Sequence, residues 1–283
     1  MYELHFGFRE NPFNLTPDPR YLYLSPHHRD ALNYILYGIN ERKGFVVITG
    51  GIGTGKTTLC RFLVSSFDAS VETALIFNPA LSDTELLQTI IQEFGISMNG
   101  RKKTKKNCID ALNRFLLKNH AEGKNAVLLI DEAQNLSHYV LEQIRLLSNL
   151  ETDREKLIQI ILIGQPELRD LMAMPSLRQL NERITVRYHL DPLCRDDIDR
   201  YVQHRLSIAG EHNRVTFSRP AYRLIYRYSR GIPRRINAIC DRALLVAYTR
   251  NRSEIDWGAV REAVNDLGGG YFNLRNTRLF KIT

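Results

Sequence analysis

The stretch "GFVVITGGIGTGKTTLC", residues 44–60, decides the fold of this chain. It opens with an apolar, β-branched run, continues through a loop with four glycines, and then carries apolar residues at helical spacing. The order strand, glycine loop and helix is the one that a phosphate-binding loop requires. Gly50, Gly55, Lys56 and Thr57 satisfy the pattern G-x-x-x-x-G-K-[ST].

Each residue type in this loop has a chemical reason. Glycines let backbone N–H groups approach phosphate oxygens, and the start of the following helix adds positive potential. Lys56 is placed to reach the β and γ phosphates, and Thr57 offers a hydroxyl to Mg²⁺. We therefore predict an ATP and Mg²⁺ site whose nucleotide contacts come from Gly50, Gly51, Ile52, Gly53, Thr54, Gly55, Lys56, Thr57 and Thr58.

A second signal is "VLLIDEAQNL", residues 127–136, an apolar strand that ends in two carboxylates. Asp131 is predicted to hold the Mg²⁺ shell, and Glu132 to face an attacking water as its base. An isolated Asp-Glu pair after a strand is more often a helix cap with a first-turn acid. The phosphate loop in the same chain favours the catalytic interpretation.

Four further polar residues are weaker candidates. Gln165 follows the strand "IQIILI" and either contacts the γ phosphate or water, or is a turn residue. Arg178 and Arg183 either neutralise charge at a neighbouring subunit's nucleotide or make surface pairs with Glu182. Arg234, in "GIPRRIN", opens a helix and is a candidate to fold back on the phosphates.

Several apolar runs beyond the first predict a parallel sheet covered on both faces. They are "TALIFN", "NAVLLI", "IQIILIG" and "ITVRYHL", and helical stretches separate them. After Leu190 the spacing is helical, with Gly and Pro punctuation and no convincing strand. The predicted fold class is α/β, a three-layer P-loop NTPase with an all-helical C-terminal lid.

The same patterns divide the chain into four parts. Residues 1–43 are predicted to be an N-terminal arm and first helix that pack on the ATPase core, and residues 44–190 the ATPase domain. Residues 191–267 are predicted to form the helical lid, and residues 268–283 a flexible tail.

Charge and cysteine content narrow the function classes. The formal net charge is +8, and residues 191–283 hold 17 Lys and Arg against 10 Asp and Glu. This basic surface is either a footprint for nucleic acid or acidic lipid, or a set of solvated helix faces.

The four cysteines form no CxxC pair, which argues against a zinc cluster or a disulfide framework and favours a reduced, cytoplasmic location. No apolar run approaches the roughly 20 residues of a membrane span.

The ordered motifs of residues 1–267 together resemble the AAA+ ATPases of the ExeA/GspA general secretion type. The resemblance runs from "FGFRENPFNLTPDPRYLYLS" through "LLIDEAQNL", "LIGQPEL" and "LNERITVRYHLDPL" to "GIPRRINAICDRALLVAY". These enzymes are similar to the TnsC-type transposition ATPases. The resemblance implies an AAA+ sheet with a helical lid, ATP hydrolysis with Mg²⁺, and homo-oligomers that bind ATP between subunits.

The resemblance also implies roles for individual residues. Asp131 and Glu132 would be the metal-binding and catalytic acids, Gln165 would occupy the first sensor position, and Arg234 would be the sensor arginine of the lid. The N-terminal arm would pack near the adenine, which makes candidates of Pro12, Phe13, Tyr21 and Tyr23.

Two function classes are compatible with these motifs, and a nucleotide-gated switch that hydrolyses slowly is a third, generic option. The first is an assembly factor that acts on a protein partner of an export or secretion system. It would be cytoplasmic, with membrane association at the inner face only through that partner. The alternative is a TnsC-like ATPase that binds duplex DNA and regulates transposition or target selection, with contacts from the basic last third.

Overall fold

A computed structural model describes residues 2–77, 81–98, 102, 104–152, 155–210 and 214–268. The strands are β1 (Phe45–Gly50), β2 (Val71–Ile76), β3 (Asn125–Ile130), β4 (Gln159–Gly164), β5 (Ile184–Leu190), β6 (Thr216–Phe217) and β7 (Glu254–Ile255). The α-helices are α1 (Tyr2–Phe6), α2 (Pro26–Asn40), α3 (Lys56–Ser66), α4 (Asp83–Glu93), α5 (Lys105–Ala121), α6 (His138–Leu147), α7 (Glu167–Met172), α8 (Arg178–Arg183), α9 (Ile198–Ala209), α10 (Arg219–Ser229), α11 (Pro233–Thr249) and α12 (Trp257–Asp266). Within the described ranges, no helix is both long and apolar enough to cross a membrane.

The chain forms two compact units. The helical unit contains the residues up to Ser25, Gly53–Gly55 and the residues from Asp191, and the α/β unit contains Pro26–Ile52 and Lys56–Leu190. The sequence analysis grouped residues 1–43 as one segment, whereas in the structure α2 belongs to the α/β unit and the residues before it belong to the helical unit. Of the predicted tail, residues 269–283 lie outside the described residues.

The α/β unit is built on a five-stranded parallel sheet in the order β2, β3, β4, β1, β5. Every residue of β1 and β4 is buried. A strand covered on both faces needs a continuous apolar run, which is why these strands are visible in the sequence. The predicted parallel α/β sheet is confirmed, as is the helical C-terminal region.

The strand order brings three carboxyl ends side by side. β4 pairs with β3 on one side and with β1 on the other. The segments that follow Gly50, Ile130 and Gly164 therefore start at neighbouring points along one edge of the sheet. In open parallel sheets this edge is where ligands bind.

The helical unit has its own core, to which the N-terminal segment contributes. Phe6, Phe8 and Phe13 are buried together with apolar residues of α9, α10, α11 and α12. The unit also holds the short parallel pair of β6 and β7. The sequence analysis expected no strand in this region, because two residues are too few to show an alternating pattern.

A buried arginine binds the N-terminal segment to α9. Arg205 donates a hydrogen bond through Nε to the carbonyl of Pro12 at 2.6 Å and another through Nη2 to the carbonyl of Asn14 at 3.2 Å. Its guanidinium lies 4.5 Å from the ring centroid of Tyr21. Two carbonyls of an irregular segment thus receive the hydrogen bonds that buried backbone groups require.

We predict that Gly38→Ala destabilises the α/β unit. A methyl group at Gly38, in α2, would overlap the Cγ2 atom of Val46 on β1. Overpacking costs about 1 to 3 kcal/mol, and alanine recovers only about 1 kcal/mol through helix propensity. Urea unfolding should show a lower free energy of unfolding, with Asn33→Ala at an exposed position of the same helix as the neutral control. An unchanged value for Gly38→Ala would contradict this packing.

Candidate functional site

The loop between β1 and α3 has the backbone of a phosphate-binding loop. Gly53 and Gly55 have φ angles of +77° and +102°, a region that residues with a side chain rarely adopt. α3 begins at Lys56, directly after the loop. The loop therefore presents its N–H groups at the start of a helix, where anions bind favourably.

Lys56 is held inside the loop. Its side chain is buried, and Nζ donates hydrogen bonds to the carbonyls of Gly50 at 2.8 Å and Gly51 at 2.9 Å. Burial lowers the pKa of Lys56, and the nearby carboxylates of Glu132 and Asp131 oppose that shift. The ammonium group thus has carbonyl partners that an anionic phosphate can replace.

Thr57 and Asp131 place two hard oxygen atoms together. The hydroxyl of Thr57 donates to Oδ2 of Asp131 at 2.6 Å, and the Asp131 residue is only 1% exposed. The other carboxylate oxygen of Asp131 accepts the backbone N–H of Glu132 at 2.9 Å. Hydroxyl and carboxylate oxygens are the donors that Mg²⁺ prefers. The residues present therefore fit the predicted metal.

The described chain offers no group of three or more His, Cys, Asp and Glu side chains that could hold a metal ion. Mg²⁺ usually keeps several waters and is held by one or two protein groups together with substrate phosphates. Thr57 and Asp131 match that pattern, because they leave most coordination positions to the nucleotide and water.

Glu132 lies at the end of β3 in a left-handed backbone conformation, with φ 52° and ψ 37°. Its Oε2 atom accepts hydrogen bonds from Nε2 of Gln134 at 2.5 Å and from Nε2 of Gln165 at 3.2 Å. The structure thus brings the predicted base together with the predicted sensor residue. The sequence analysis assigned no role to Gln134. The one indication of a role was that its amide lies two residues after Glu132, close enough in the chain to bond to that side chain.

The remaining loop residues differ in exposure. Thr54 is buried, while Ile52 is 65% exposed at the tip of the loop. Within the helical unit, the backbone N–H of Arg234 donates to the carbonyl of Gly53 at 3.2 Å. A methyl group on Gly53 would meet Cβ of Arg234 at 2.7 Å. The backbone of Arg234 therefore lies beside the loop residue Gly53, and its role at the phosphates stays a prediction.

The two candidate finger arginines have different partners. Nη1 of Arg183 donates to Oγ of Ser148 at 2.7 Å and to Oδ1 of Asn149 at 2.5 Å. Arg178 instead forms an exposed ion pair with Glu182 at 2.9 Å, the plain alternative considered for it. Arg183 is thus the more firmly oriented of the two.

The predicted adenine-pocket residues lie in the helical unit. Phe13 is buried and makes an edge contact with Phe217, with ring centroids 6.5 Å apart. The hydroxyl of Tyr23 donates to Asp197 at 3.4 Å, and its ring packs edge-on against Tyr201. These contacts give Phe13 and Tyr23 a structural role, as the bond from Arg205 does for Pro12. Their contact with adenine stays a prediction.

Comparisons with known proteins agree with this geometry. Residues 39–172 match the family model described as AAA domain. General secretion pathway protein A from Aeromonas hydrophila is 46% identical over 269 residues, which cover 95% of this chain and 49% of that protein. The chain therefore spans about half the length of this relative. The predicted resemblance to the general secretion ATPases is confirmed.

Two solved structures show the same fold. Cdc6p from Pyrobaculum aerophilum has a TM-score of 0.70 at 19% identity, over 92% of this chain and 72% of that chain. The RuvB Holliday junction branch migration motor of Thermotoga maritima has a TM-score of 0.57 at 18% identity, over 86% of this chain and 69% of that chain. At these identities the comparison establishes the fold alone.

We predict that Thr57→Val weakens the binding of ATP only when Mg²⁺ is present. The substitution keeps the shape of the side chain and removes the hydroxyl, and a hydrogen bond or ligand to a charged group contributes about 1.5 to 3 kcal/mol. Titration of a fluorescent ATP analogue should show about tenfold weaker binding in Mg²⁺ and little change in EDTA. Ser65→Ala, at an exposed position of α3, is the control. Equal losses in Mg²⁺ and EDTA would contradict a metal role for Thr57.

Proposed function

We propose that this chain, which resembles general secretion pathway protein A over 95% of its length, hydrolyses ATP as an oligomeric AAA+ assembly factor. The observation that carries this proposal is the placement of Lys56, the Thr57–Asp131 pair and Glu132 after the carboxyl ends of β1 and β3, the two strands that flank β4. Each group supplies one part of the chemistry that phosphoryl transfer needs.

The proposed reaction divides the work among these residues. Lys56 and the loop N–H groups bind the β and γ phosphates, and Thr57 and Asp131 hold Mg²⁺, which when bound neutralises charge on those phosphates. Glu132 accepts a proton from water as the water oxygen bonds to the γ phosphorus. The bond from that phosphorus to the bridging oxygen breaks, and ADP leaves with the bonding electrons. Positioning supplies most of the acceleration in this type of reaction.

We propose that Arg183 completes the site of a neighbouring subunit in a homo-oligomer. An arginine supplied in trans stabilises charge in the transition state of many nucleotide hydrolases. The bonds from Arg183 to Ser148 and Asn149 support this role, since an oriented guanidinium loses less freedom when it binds phosphate. Arg178 is the less favoured candidate, and Arg234 is proposed as the sensor arginine.

The partner is proposed to be a protein of an export or secretion system. The support is the 46% identity to a relative named for general secretion, of which this chain spans 49%. We propose a location on the cytoplasmic side, with any membrane association made through that partner.

Duplex DNA is the second candidate partner, because α10 carries an exposed row of arginines. Arg219, Arg223 and Arg227 are exposed at intervals of four residues, so they share one side of the helix, and the exposed Arg230 follows directly after its end. α10 contains no acidic residue. Arginine rows of this kind suit phosphate groups, which guanidinium binds through two parallel hydrogen bonds.

We predict opposite effects from two substitutions in the ATP site. Lys56→Ala should abolish nucleotide binding, because the loop loses the charge that reaches the β and γ phosphates. Glu132→Gln should keep ATP bound, lower kcat at least about 100-fold and trap the assembled state, because the base is lost and the shape is kept. Equilibrium binding measures the affinity for ATP, phosphate release measures kcat, and light scattering measures assembly. Hydrolysis at the normal rate by Glu132→Gln would refute the assignment of the base.

The choice between protein and DNA partners has its own test. We expect the ATPase rate to be the same with and without duplex DNA at two salt concentrations, because a relative that matches 95% of this chain is named for secretion. Stimulation by DNA that weakens at high salt would favour the DNA alternative. In that case Arg223→Glu should remove the stimulation, and Glu254→Arg, at an exposed position of the same unit, should not.

A further inference from the structure

The side chain of Gln134 joins the ends of two neighbouring strands. Its Nε2 donates to Oε2 of Glu132 at 2.5 Å, and its Oε1 accepts the backbone N–H of Gln165 at 2.9 Å. Glu132 follows β3, and Gln165 follows β4. One amide group thus links the proposed base to the backbone of the adjacent strand end.

The chemistry of the two partners suits an amide at this position. A backbone N–H can only donate, and an ionised carboxylate can only accept, so the bridging group must offer one acceptor and one donor. A glutamate at 134 would place a second carboxylate against Glu132. An asparagine would be one methylene shorter, and an alanine would leave both partners without this bond.

Gly164 provides the space that the bridge occupies. A Cβ atom at Gly164 would lie 2.7 Å from Oε1 of Gln134, closer than real Cβ contacts come. The same atom would lie 3.0 Å from Cδ2 and 3.2 Å from Cβ of Leu168. The nearest group is therefore the end of the Gln134 side chain, which is the group that can move. The absence of a side chain at Gly164 lets Gln134 reach the backbone of Gln165.

The bridge acts on a residue with an unfavourable backbone. A left-handed conformation at a residue other than glycine costs on the order of 1 kcal/mol and persists where surrounding contacts determine it. The amides of Gln134 and Gln165 both bind Oε2 of Glu132. Among the described residues, the hydrogen bonds to the Glu132 side chain all go to this oxygen, so Oε1 is left to accept a proton.

We propose that Gln134 is a positioning residue that fixes the carboxylate of Glu132 and ties it to the end of β4. This inference rests on the proposed function, because it assigns Glu132 as the base. Gln134 holds one carboxylate oxygen, so the other points in a constant direction. Because its second bond is to the Gln165 backbone, a movement of the β4 end moves the base with it.

Steady-state kinetics of the full chain test the role. Gln134→Ala should lower kcat about 10- to 100-fold, since small misplacements of a catalytic group have effects of this size. The KM for ATP and the affinity for a fluorescent ATP analogue should change less than about twofold, because the described bonds of the Gln134 side chain go to Glu132 and to the backbone of Gln165, and not to the phosphate loop, Thr57 or Asp131. Asn135→Ala, the exposed amide next in sequence, is the matched control and should behave as the unaltered protein.

A second readout is independent of ATP. The backbone N–H of Gln165 should exchange with solvent at least about tenfold faster in Gln134→Ala than in the unaltered protein or in Asn135→Ala, because its acceptor is removed. Gln134→Glu should restore the slow exchange, since a carboxylate oxygen can accept this bond. It should not restore kcat, since its other oxygen faces Glu132. A variant that had simply lost its structure would show both fast exchange at Gln165 and a low kcat. It would not combine slow exchange with a low kcat.

Gly164→Ala supplies a test that leaves both glutamines in the sequence. It should displace Gln134 and reproduce the kcat loss of Gln134→Ala. In the double variant the two losses should not add, because they act through one contact. Additive losses would show that Gly164→Ala acts by another route and would overturn the spatial part of the proposal.

The outcomes for the two proposals are separable. An unchanged or higher kcat in Gln134→Ala, together with inactive Glu132→Gln, would overturn the positioning role and leave the proposed function in place. Unchanged exchange at Gln165 would overturn the bridge itself. Normal hydrolysis by Glu132→Gln would overturn the proposed function and with it this inference.

Discussion

The hydrogen bond from Thr57 to Asp131 is the interaction on which the site depends, because it joins two strands that are not neighbours. Thr57 follows the loop after β1, and Asp131 follows β3, with β4 between them in the sheet. Ile130 lies level with Leu162 and Val47, so β3 ends before β4 and β1 do, and the loop and first turn of α3 carry Thr57 across to Asp131 at 2.6 Å. The polar contacts of Gln165 lie after the end of β4, between the two strands that this bond connects.

The parts of the site that a sequence can predict are those formed by residues close together in the chain. The residues Gly50 to Thr58 and the pair Asp131 and Glu132 are local patterns, and their chemistry is tied to their spacing. The strands around them are equally visible, because burial on both faces demands unbroken apolar runs. The role of Gln134 is different. It depends on the backbone of Gln165 and the missing side chain of Gly164, 30 or so residues away, and neither contact leaves a periodic signal.

The N-terminal segment shows the same limit. Residues 11–25 have no periodicity of their own, and the sequence analysis placed them with the first helix in an arm, residues 1–43, that packs on the ATPase core. The structure groups them instead with the helical unit, where Phe6, Phe8 and Phe13 are buried. The bond from Arg205 to Pro12 spans 193 positions of the sequence. Pairings at such separation are set by tertiary packing, which outweighs the local pattern.

This grouping has a consequence for biosynthesis. The α/β unit is inserted, in the order of synthesis, between two parts of the helical unit. The ribosome adds about 5 to 20 residues per second, so the 193 positions between Pro12 and Arg205 correspond to about 10 to 40 s. During that interval the aromatic side chains of the first segment have no core to enter. Over that interval the first segment lacks the helices against which its aromatic side chains pack in the folded protein, whereas the α/β unit already has the strands and helices of its own core.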